Sequence, residues 1–477
     1  MRPLLRIFAG DRPRSPIDNR PLAVESGQNH RHGHRRVLEI AAFYGVLLTT
    51  LIVAVPNGTV NDRGRSTFVF AICIFAFIRF VENVWKGGFK LADPLLLTPA
   101  IGVVILAVLQ LFPEYLGSGF ATEDPNETKR FIATFTALIL AGEILLRYTT
   151  TRRRLLALIY VVLIVGVGSG LFGLLRQILP NGENFLTEYV IGPNAAYAQF
   201  VNRNHFGFLM EMTTGVLLGL VLRAGISQSL KLLCWVTIGI IGVSTILANS
   251  RGAILSMVGL GVFAIIFHFL VGREYENGNQ STKQRVPAIE RVKAVLLPVA
   301  ACCIFAVVSV LLIAFVGGDA VASRIETIQG EIKTTEDGKV ERSKIWQSTI
   351  ELIKQHPVAG VGFGAYAVGI TRFDTFPGDS SLEQAHNDYL EILANGGIIA
   401  FLLMLFFFAV LFARIRGKLN SPASRLRNAS CFGAATGIVG VMLHSFVDFG
   451  LHVTINALIF IILVVISTAR LSGFEEA

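Results

Sequence analysis

The chain has 477 residues, of which 53% are hydrophobic and 16% charged, with a mean hydropathy of +0.60. That balance excludes a single soluble core and points to a polytopic membrane protein. The formal net charge of +9 does not indicate nucleic acid as a partner, because the cations sit in short loops beside apolar runs, where they act as topology signals.

Residues 1–36 carry Arg2, Arg6, Arg12, Arg14, Arg20, Arg31, Arg35 and Arg36 among scattered prolines, without the apolar core of a signal peptide, and read as a disordered basic cytoplasmic tail. Apolar runs then recur at about 37–56, 67–85, 94–113, 131–147, 155–175, 205–223, 231–248, 252–272, 294–316, 396–414, 429–446 and 453–471. Most approach the roughly 20 residues that cross a bilayer, which predicts an all-α membrane protein of about twelve transmembrane helices. The expected organisation is nine helices within 37–316, a periplasmic loop domain at 317–395, three helices within 396–471 and a cytoplasmic end at 472–477. The five cysteines, Cys73, Cys234, Cys302, Cys303 and Cys431, lie in or at the edge of apolar runs, which speaks against a disulfide framework or a Cys-rich metal site.

Lysines and arginines set the orientation. With both termini inside, the inner loops hold Lys86 and Lys90, Arg152 to Arg154, Arg223 and Lys231, Arg273 to Lys293, and Arg414 to Arg427. The acidic Glu114 to Glu127 segment then lies outside, as does the 317–395 stretch, which in a bacterial inner membrane faces the periplasm.

Within that stretch, Glu341 to Gln355 places Ile345, Thr349, Leu352 and Ile353 near one face and stops before Pro357, as an amphipathic helix does. Arg342 and Trp346 share a face of it. A second helix is expected from the capping-box spacing of Ser380, Ser381, Leu382 and Glu383 to Asn395-Gly396-Gly397, with His386, Tyr389, Leu390 and Leu393 together on it. Gly360-x-Gly362-x-Gly364 lacks the flanking strand, helix and spacing of a nucleotide loop, and reads as a turn that lets backbones approach closely.

Arginine on the outer side runs against the positive-inside bias, so Arg176 at the end of the fifth run, Arg203 before the sixth, Arg251 in the turn between the seventh and eighth, and Arg342 call for a reason. They could converge on a polyanion, since guanidinium groups bind phosphate oxygens bidentately and stay charged when desolvated; each could equally snorkel to headgroups or pair with a carboxylate. His386 is the best candidate proton acceptor, because an unperturbed imidazole titrates at about 6.5. The plainer reading of His386 is a helix-surface histidine bonded to a carbonyl. His205, His356, His444 and His452 also fall near the outer face, but none has the spacing of a metal site, and no metal is expected. Asp448 and Glu211 could each orient an arginine or histidine, or Asp448 could cap the turn into the last helix. Arg79 and Glu82, three apart, look like a self-neutralising pair.

The Asn202-Arg203-Asn204-His205-Phe206-Gly207 element, the Asn249-Ser250-Arg251-Gly252 turn, Arg342-x-x-x-Trp346, His356-Pro357-x-x-Gly360-x-Gly362, and His386-Asn387 before a Gly-rich helix end resemble, in that order, the bacterial O-antigen ligase and O-antigen polymerase superfamily. The resemblance spans roughly 190–465 and implies a membrane glycosyltransferase of C-type architecture. Such an enzyme takes a glycan from an undecaprenyl-pyrophosphate carrier at the periplasmic face, within membrane lipid, and delivers it to lipid A–core or another glycan acceptor, with no metal, nucleotide sugar or other cofactor. By position, Arg203 and Arg251 would hold the pyrophosphate, with Arg176 nearby, Arg342 would assist, and His386 would be the base, supported by Asn387, Asp448 and Trp346. One departure leaves ligase and polymerase open: where ligases tend to carry Gly-x-x-Gly, this chain has Gly397-Ile398-Ile399-Ala400.

The chemistry is consistent on physical grounds. Arginines can stabilise charge developing on a pyrophosphate leaving group, and a folded outer loop can exclude competing water. A transporter of anions or lipid-linked sugars would need charges deep in the bilayer and internal symmetry, neither of which the sequence suggests; a non-catalytic scaffold would leave His386 and the arginines without a task. The loop charges predict that a periplasm-only reporter fused after Asp337 is active, whereas fusions after Arg427 or at Ala477 are silent. The reverse pattern would place His386 on the cytoplasmic side.

Overall fold

The computed structural model describes residues 26–55, 62–85, 87–88, 90–178, 196–278, 342–373, 382–421 and 424–471. The expected run at 294–316, residues 1–25 of the basic tail, the 317–341 stretch, Ser380, Ser381 and the end at 472–477 lie outside them. Among the described residues the regular structure is helical: α1 (Ser26–Val53), α2 (Asp62–Trp85), α3 (Pro94–Gln110), α4 (Pro125–Tyr148), α5 (Arg152–Ile178), α6 (Arg203–Arg223), α7 (Gln228–Leu247), α8 (Arg251–Gly278), α9 (Arg342–Gln355), α10 (Asp388–Leu419), α11 (Arg425–His444) and α12 (Thr454–Thr468). Nine are long and apolar enough to cross a membrane, with α3 and α12 as shorter apolar helices. Apart from α9, these helices coincide with the apolar runs of the sequence.

Helix starts follow from local chemistry. Asp93, Asp124, Asn202, Ser227 and Ser424 cap α3, α4, α6, α7 and α11, each side chain accepting a hydrogen bond from the first turn. The centre of the bundle is the α6–α11 pair. A Cβ at Gly215 would stand 2.3 Å from the backbone nitrogen of Gly437, and one at Gly219 would stand 2.3 Å from the carbonyl oxygen of Ala429. Gly215-x-x-x-Gly219 and Gly433-x-x-x-Gly437 therefore let the two backbones touch, which replaces hydrophobic driving force with close packing inside lipid. By contrast, the outer faces of α7, α8 and the long part of α10 carry exposed Leu, Ile, Val and Phe side chains, as lipid-facing helices do.

Arg79 and Glu82 are part of a larger buried group than a self-neutralising pair. Arg79 also approaches Glu143 at 3.5 Å and donates to Asn83, while the Tyr148 hydroxyl donates to Glu82. This network ties α2 to α4 at the end of the bundle that carries Lys90 and Arg154.

At the opposite end, α9 buries Ile345, Thr349 and Leu352, as its periodicity predicts, against Val361, Tyr366, Ile370 and Ala394. The second loop helix does not start where the capping-box spacing places it. Leu382 to Ala385 are non-helical, and α10 begins at Asp388 with Asn387 as N-cap, its side chain accepting from the N–H groups of Tyr389 (3.0 Å) and Leu390 (3.1 Å). His386 therefore precedes the helix, in the left-handed region at φ 48°, instead of sharing a face with Tyr389, Leu390 and Leu393. The reason is competition between two good capping residues. Asn387 wins because its Nδ2 also donates to the Phe446 carbonyl at 2.9 Å, a partner distant in sequence.

The glycine turn does what its composition suggests. Val361 and Gly362 donate to the carbonyls of Ala394 and Asn395, and Gln110, at the end of α3, donates to the carbonyls of Ala359 (2.6 Å) and Asn395 (3.0 Å). Both lie at the break in α10, where Gly397 adopts φ 62° and ψ −162°. Gly360 has φ 70°, and a Cβ there would meet the Asn395 carbonyl carbon at 2.4 Å. Gly360→Ala should therefore cost about 3 kcal/mol through strain and overpacking. Thermal unfolding of the purified protein should show a lowered midpoint, whereas Gly88→Ala, with open space around it, should leave the midpoint unchanged.

Candidate active site

The turn between α11 and α12 carries one carboxylate into the centre of the loop end of the bundle. Asp448 is 1% exposed. Its Oδ2 accepts from Arg342 Nη2 at 3.1 Å and from the side chain of Asn204, and its Oδ1 accepts from the Phe449 N–H at 2.9 Å. His386 Nδ1 lies 3.7 Å from Oδ1, an ion-pair distance longer than a hydrogen bond. Burial alone would push the Asp448 carboxyl up, but the imidazoles of His386 and His205 and the N–H of Phe449 outweigh it and hold the group down at about 2. Asp448 is thus a fixed anion at any physiological pH.

Around it the structure joins three of the sequence-derived candidates, Arg342, His386 and Asp448, with Asn204, the neighbour of Arg203. His386 and His205 both set their rings edge-on to Phe449, at 4.9 and 4.8 Å between centroids. Nδ1 of His386 and Nε1 of half-buried Trp346 make no hydrogen bond to the described residues. Asn387 is occupied by capping and by Phe446, so the carboxylate of Asp448, not Asn387, is the group placed to set the His386 tautomer.

Arg203 and Arg251 open α6 and α8 at the same end of the bundle. Those helices meet closely: a Cβ at Gly207 would stand 2.3 Å from the Ala253 Cβ. The two guanidinium stems are therefore mounted within about one helical turn of one crossing point. Each adds positive charge to the positive end of a helix dipole, an arrangement that favours a bound anion. Arg176 is placed differently. Its guanidinium donates to the Ala198 carbonyl and lies 5.9 Å over the Phe172 ring, which steadies the turn leading into α6.

The remaining histidines have partners that sequence reasoning did not supply. His356 stands 3.7 Å from Glu123, away from the Asp448 group. His444 Nδ1 is 2.8 Å from Glu211, both fully buried, with Ser256 donating to the same carboxylate. His452 Nε2 lies between Asp388 and Glu391. Charged residues inside or beside apolar runs always need partners, which was the available signal, but it does not say which. Among the described residues no group of three or more His, Cys, Asp or Glu is arranged to hold a metal ion.

Residues 236–405 match the family described as O-antigen ligase. Over that segment the chain is similar to the O-antigen ligase family. The match runs from α7 into the spanning part of α10 and includes Arg251, Arg342, Trp346, His386 and Asn387. Arg203 and Asp448 flank the matched segment, which Asp448 joins through Arg342 and His386. No curated protein matches the chain significantly.

The depressed Asp448 carboxyl contributes stability that is complete above its unfolded value near 3.9 and is lost as pH falls through about 2. For a shift of this size that amounts to about 2 kcal/mol. Acid titration of thermal stability should accordingly show a steeper fall between about pH 4 and 2 in the wild-type protein than in Asp448→Asn. Equal slopes would mean that the carboxylate is not held as an anion.

Proposed function

We propose that this protein is a glycosyltransferase that moves a glycan from undecaprenyl-pyrophosphate to an acceptor hydroxyl at the periplasmic face of a bacterial inner membrane, with lipid A–core as the acceptor of an O-antigen ligase. The observation that carries this reading is the Asp448 group: one buried anion holding a guanidinium and an imidazole side by side, next to two helices that open with arginine.

In this reading Arg203 and Arg251 grip the pyrophosphate bidentately and the helix N-termini add their partial charges, so that charge developing on the departing carrier is met in place. Arg342, oriented by Asp448, assists. With Nδ1 turned to Asp448, the His386 tautomer protonated there leaves Nε2 to take the acceptor hydroxyl proton. The hydroxyl attacks the anomeric carbon from the side opposite the pyrophosphate, which inverts the configuration. The same group would serve a polysaccharide repeat-unit polymerase, whose donor is identical and whose acceptor is another carrier-linked repeat. Deleting the gene and inspecting surface glycan separates them: long polymer stranded on the carrier supports the ligase, and single repeats support the polymerase.

The mechanism is tested by in vitro transfer with purified variants and a lipid-linked donor. Arg251→Lys keeps charge but loses the planar fork, so both it and Arg251→Ala should transfer poorly while still inserting. His386→Ala and His386→Gln should each lose about 10²–10⁴ in rate. A fully active His386→Gln would reduce His386 to a positioning group, and full complementation by Arg251→Ala would remove that residue from the site.

A further inference from the structure

Beside the proposed base lies a second cluster that the mechanism above does not use. Asp388 and Glu391, in the first turn of α10, are 7% and 2% exposed. One oxygen of each is satisfied: Asp388 Oδ2 accepts from the Ser445 hydroxyl at 2.7 Å, and Glu391 Oε2 accepts from the Ala385 N–H at 3.1 Å. The other two oxygens face one atom, His452 Nε2, at 3.6 and 3.5 Å. His452 itself sits at the surface, and its ring flanks Phe449, whose ring also meets His386.

Two buried carboxylates this close cannot both stay ionised without a cation between them, because neither is solvated and each repels the other. A neutral imidazole offers one N–H at most to the pair. Desolvation pushes the His452 imidazole down, so the pair is relieved by a proton held at the carboxyls, with His452 Nε2 set between them and the positive end of α10 assisting. The strain of losing that proton falls on the first turn of α10, and His386 is two residues upstream of Asp388. The same turn is docked by the Asp388 N–H on the Ser445 carbonyl (3.0 Å) and by Asn387 on Phe446, so any loosening moves the imidazole relative to Asp448.

We propose that His452 is a positioning residue: shared between Asp388 and Glu391, it fixes the backbone that carries His386 as long as the three groups hold a proton among them. The proposal rests on the reading of His386 as the base and adds a limb to its pH dependence. Alkali inactivates by emptying the cluster and displacing His386. The other ionisable groups facing this cluster are His386 ahead of α10, Tyr389 on it, Asp448 on the same turn as His452, His205 from α6 and, through Asp448, Arg342 from α9. Removing one carboxylate is therefore the discriminating change.

The test uses the full chain in lipid nanodiscs and has two readouts. Hydrogen exchange of the 382–395 segment, without substrate and corrected for chemical exchange rate, should show wild-type protection falling with pH, by up to about tenfold per unit for one linked proton, until the native cluster gives up its proton and levelling off above that. Glu391→Gln, which retains the Ala385 contact but removes a charge, should keep its protection to higher pH, and His452→Gln should be poorly protected throughout. Transfer assays should show an alkaline limb in the wild type that is lost in Glu391→Gln, where no second carboxylate remains to repel Asp388. Should Glu391→Gln not insert, Asp388→Asn replaces it with the same expectation. Protection independent of pH in the wild type, or identical in wild type and Glu391→Gln, overturns the proposal. Loss of all transfer activity in the wild type would count against the proposed function alone, since exchange still decides the role of His452.

Discussion

A carboxylate withdrawn from water must be given partners, and the loop end of this protein is arranged around meeting that requirement for Asp448. Its partners come from α6 through Asn204, from α9 through Arg342, from the lead-in to α10 through His386 and from its own turn through Phe449. Asn204, Arg342 and His386 lie far from one another and from Asp448 in sequence. The anion therefore acts as a register mark, bringing a guanidinium and an imidazole to a separation that neither helix could set by itself. A neutral side chain of the same shape would pack as well and would define nothing.

Such a centre is useful only on a frame that does not yield. The backbone contact between α6 and α11 supplies it, with paired glycines removing the side chains that would hold the helices apart. The buried Glu211–His444 contact lies on the same pair, and Gly207 and Gly252 leave room for the imidazole. On the other flank, Gln110 satisfies two carbonyls and the Phe363 N–H with one amide, so α3, the glycine turn and α10 share a single junction. The functional end is thus braced from two sides by groups that have no part in chemistry.

Much of this frame is readable in the sequence, for stated reasons. Spanning helices announce themselves by length and apolarity, α9 by its periodicity, and the glycine turn by a composition that only close backbone approach explains. What escapes is whatever depends on contacts between distant segments. Ser380 and Asn387 are comparable caps by local rules, and the choice between them depends on the Phe446 carbonyl, 59 residues away. Glu211 can be seen to need a cation, but His444 is 233 residues removed. Asp448 reads as a turn cap or as an orienting group, and its contacts are of both kinds: Oδ1 accepts from the Phe449 N–H of its own turn, while α9 and α6 converge on Oδ2. Arg176 is an outward arginine like the others by sequence, yet its guanidinium goes to the Ala198 carbonyl.

The break at Gly397 separates two parts of α10 that feel different surroundings. Below it the helix is an apolar rod with much of its surface toward lipid; above it the short first segment is pinned by Gln110, the glycine turn and the α11–α12 turn. A rod in contact with lipid tilts when the hydrocarbon layer thins or thickens. A continuous helix would transmit that tilt to its upper end as a lever. With a non-helical residue at the junction, the rod can lean while the upper segment stays where its hydrogen bonds hold it. The geometry around Asp448 is thereby insulated from bilayer thickness, and membranes of differing lipid composition present the same site to a substrate.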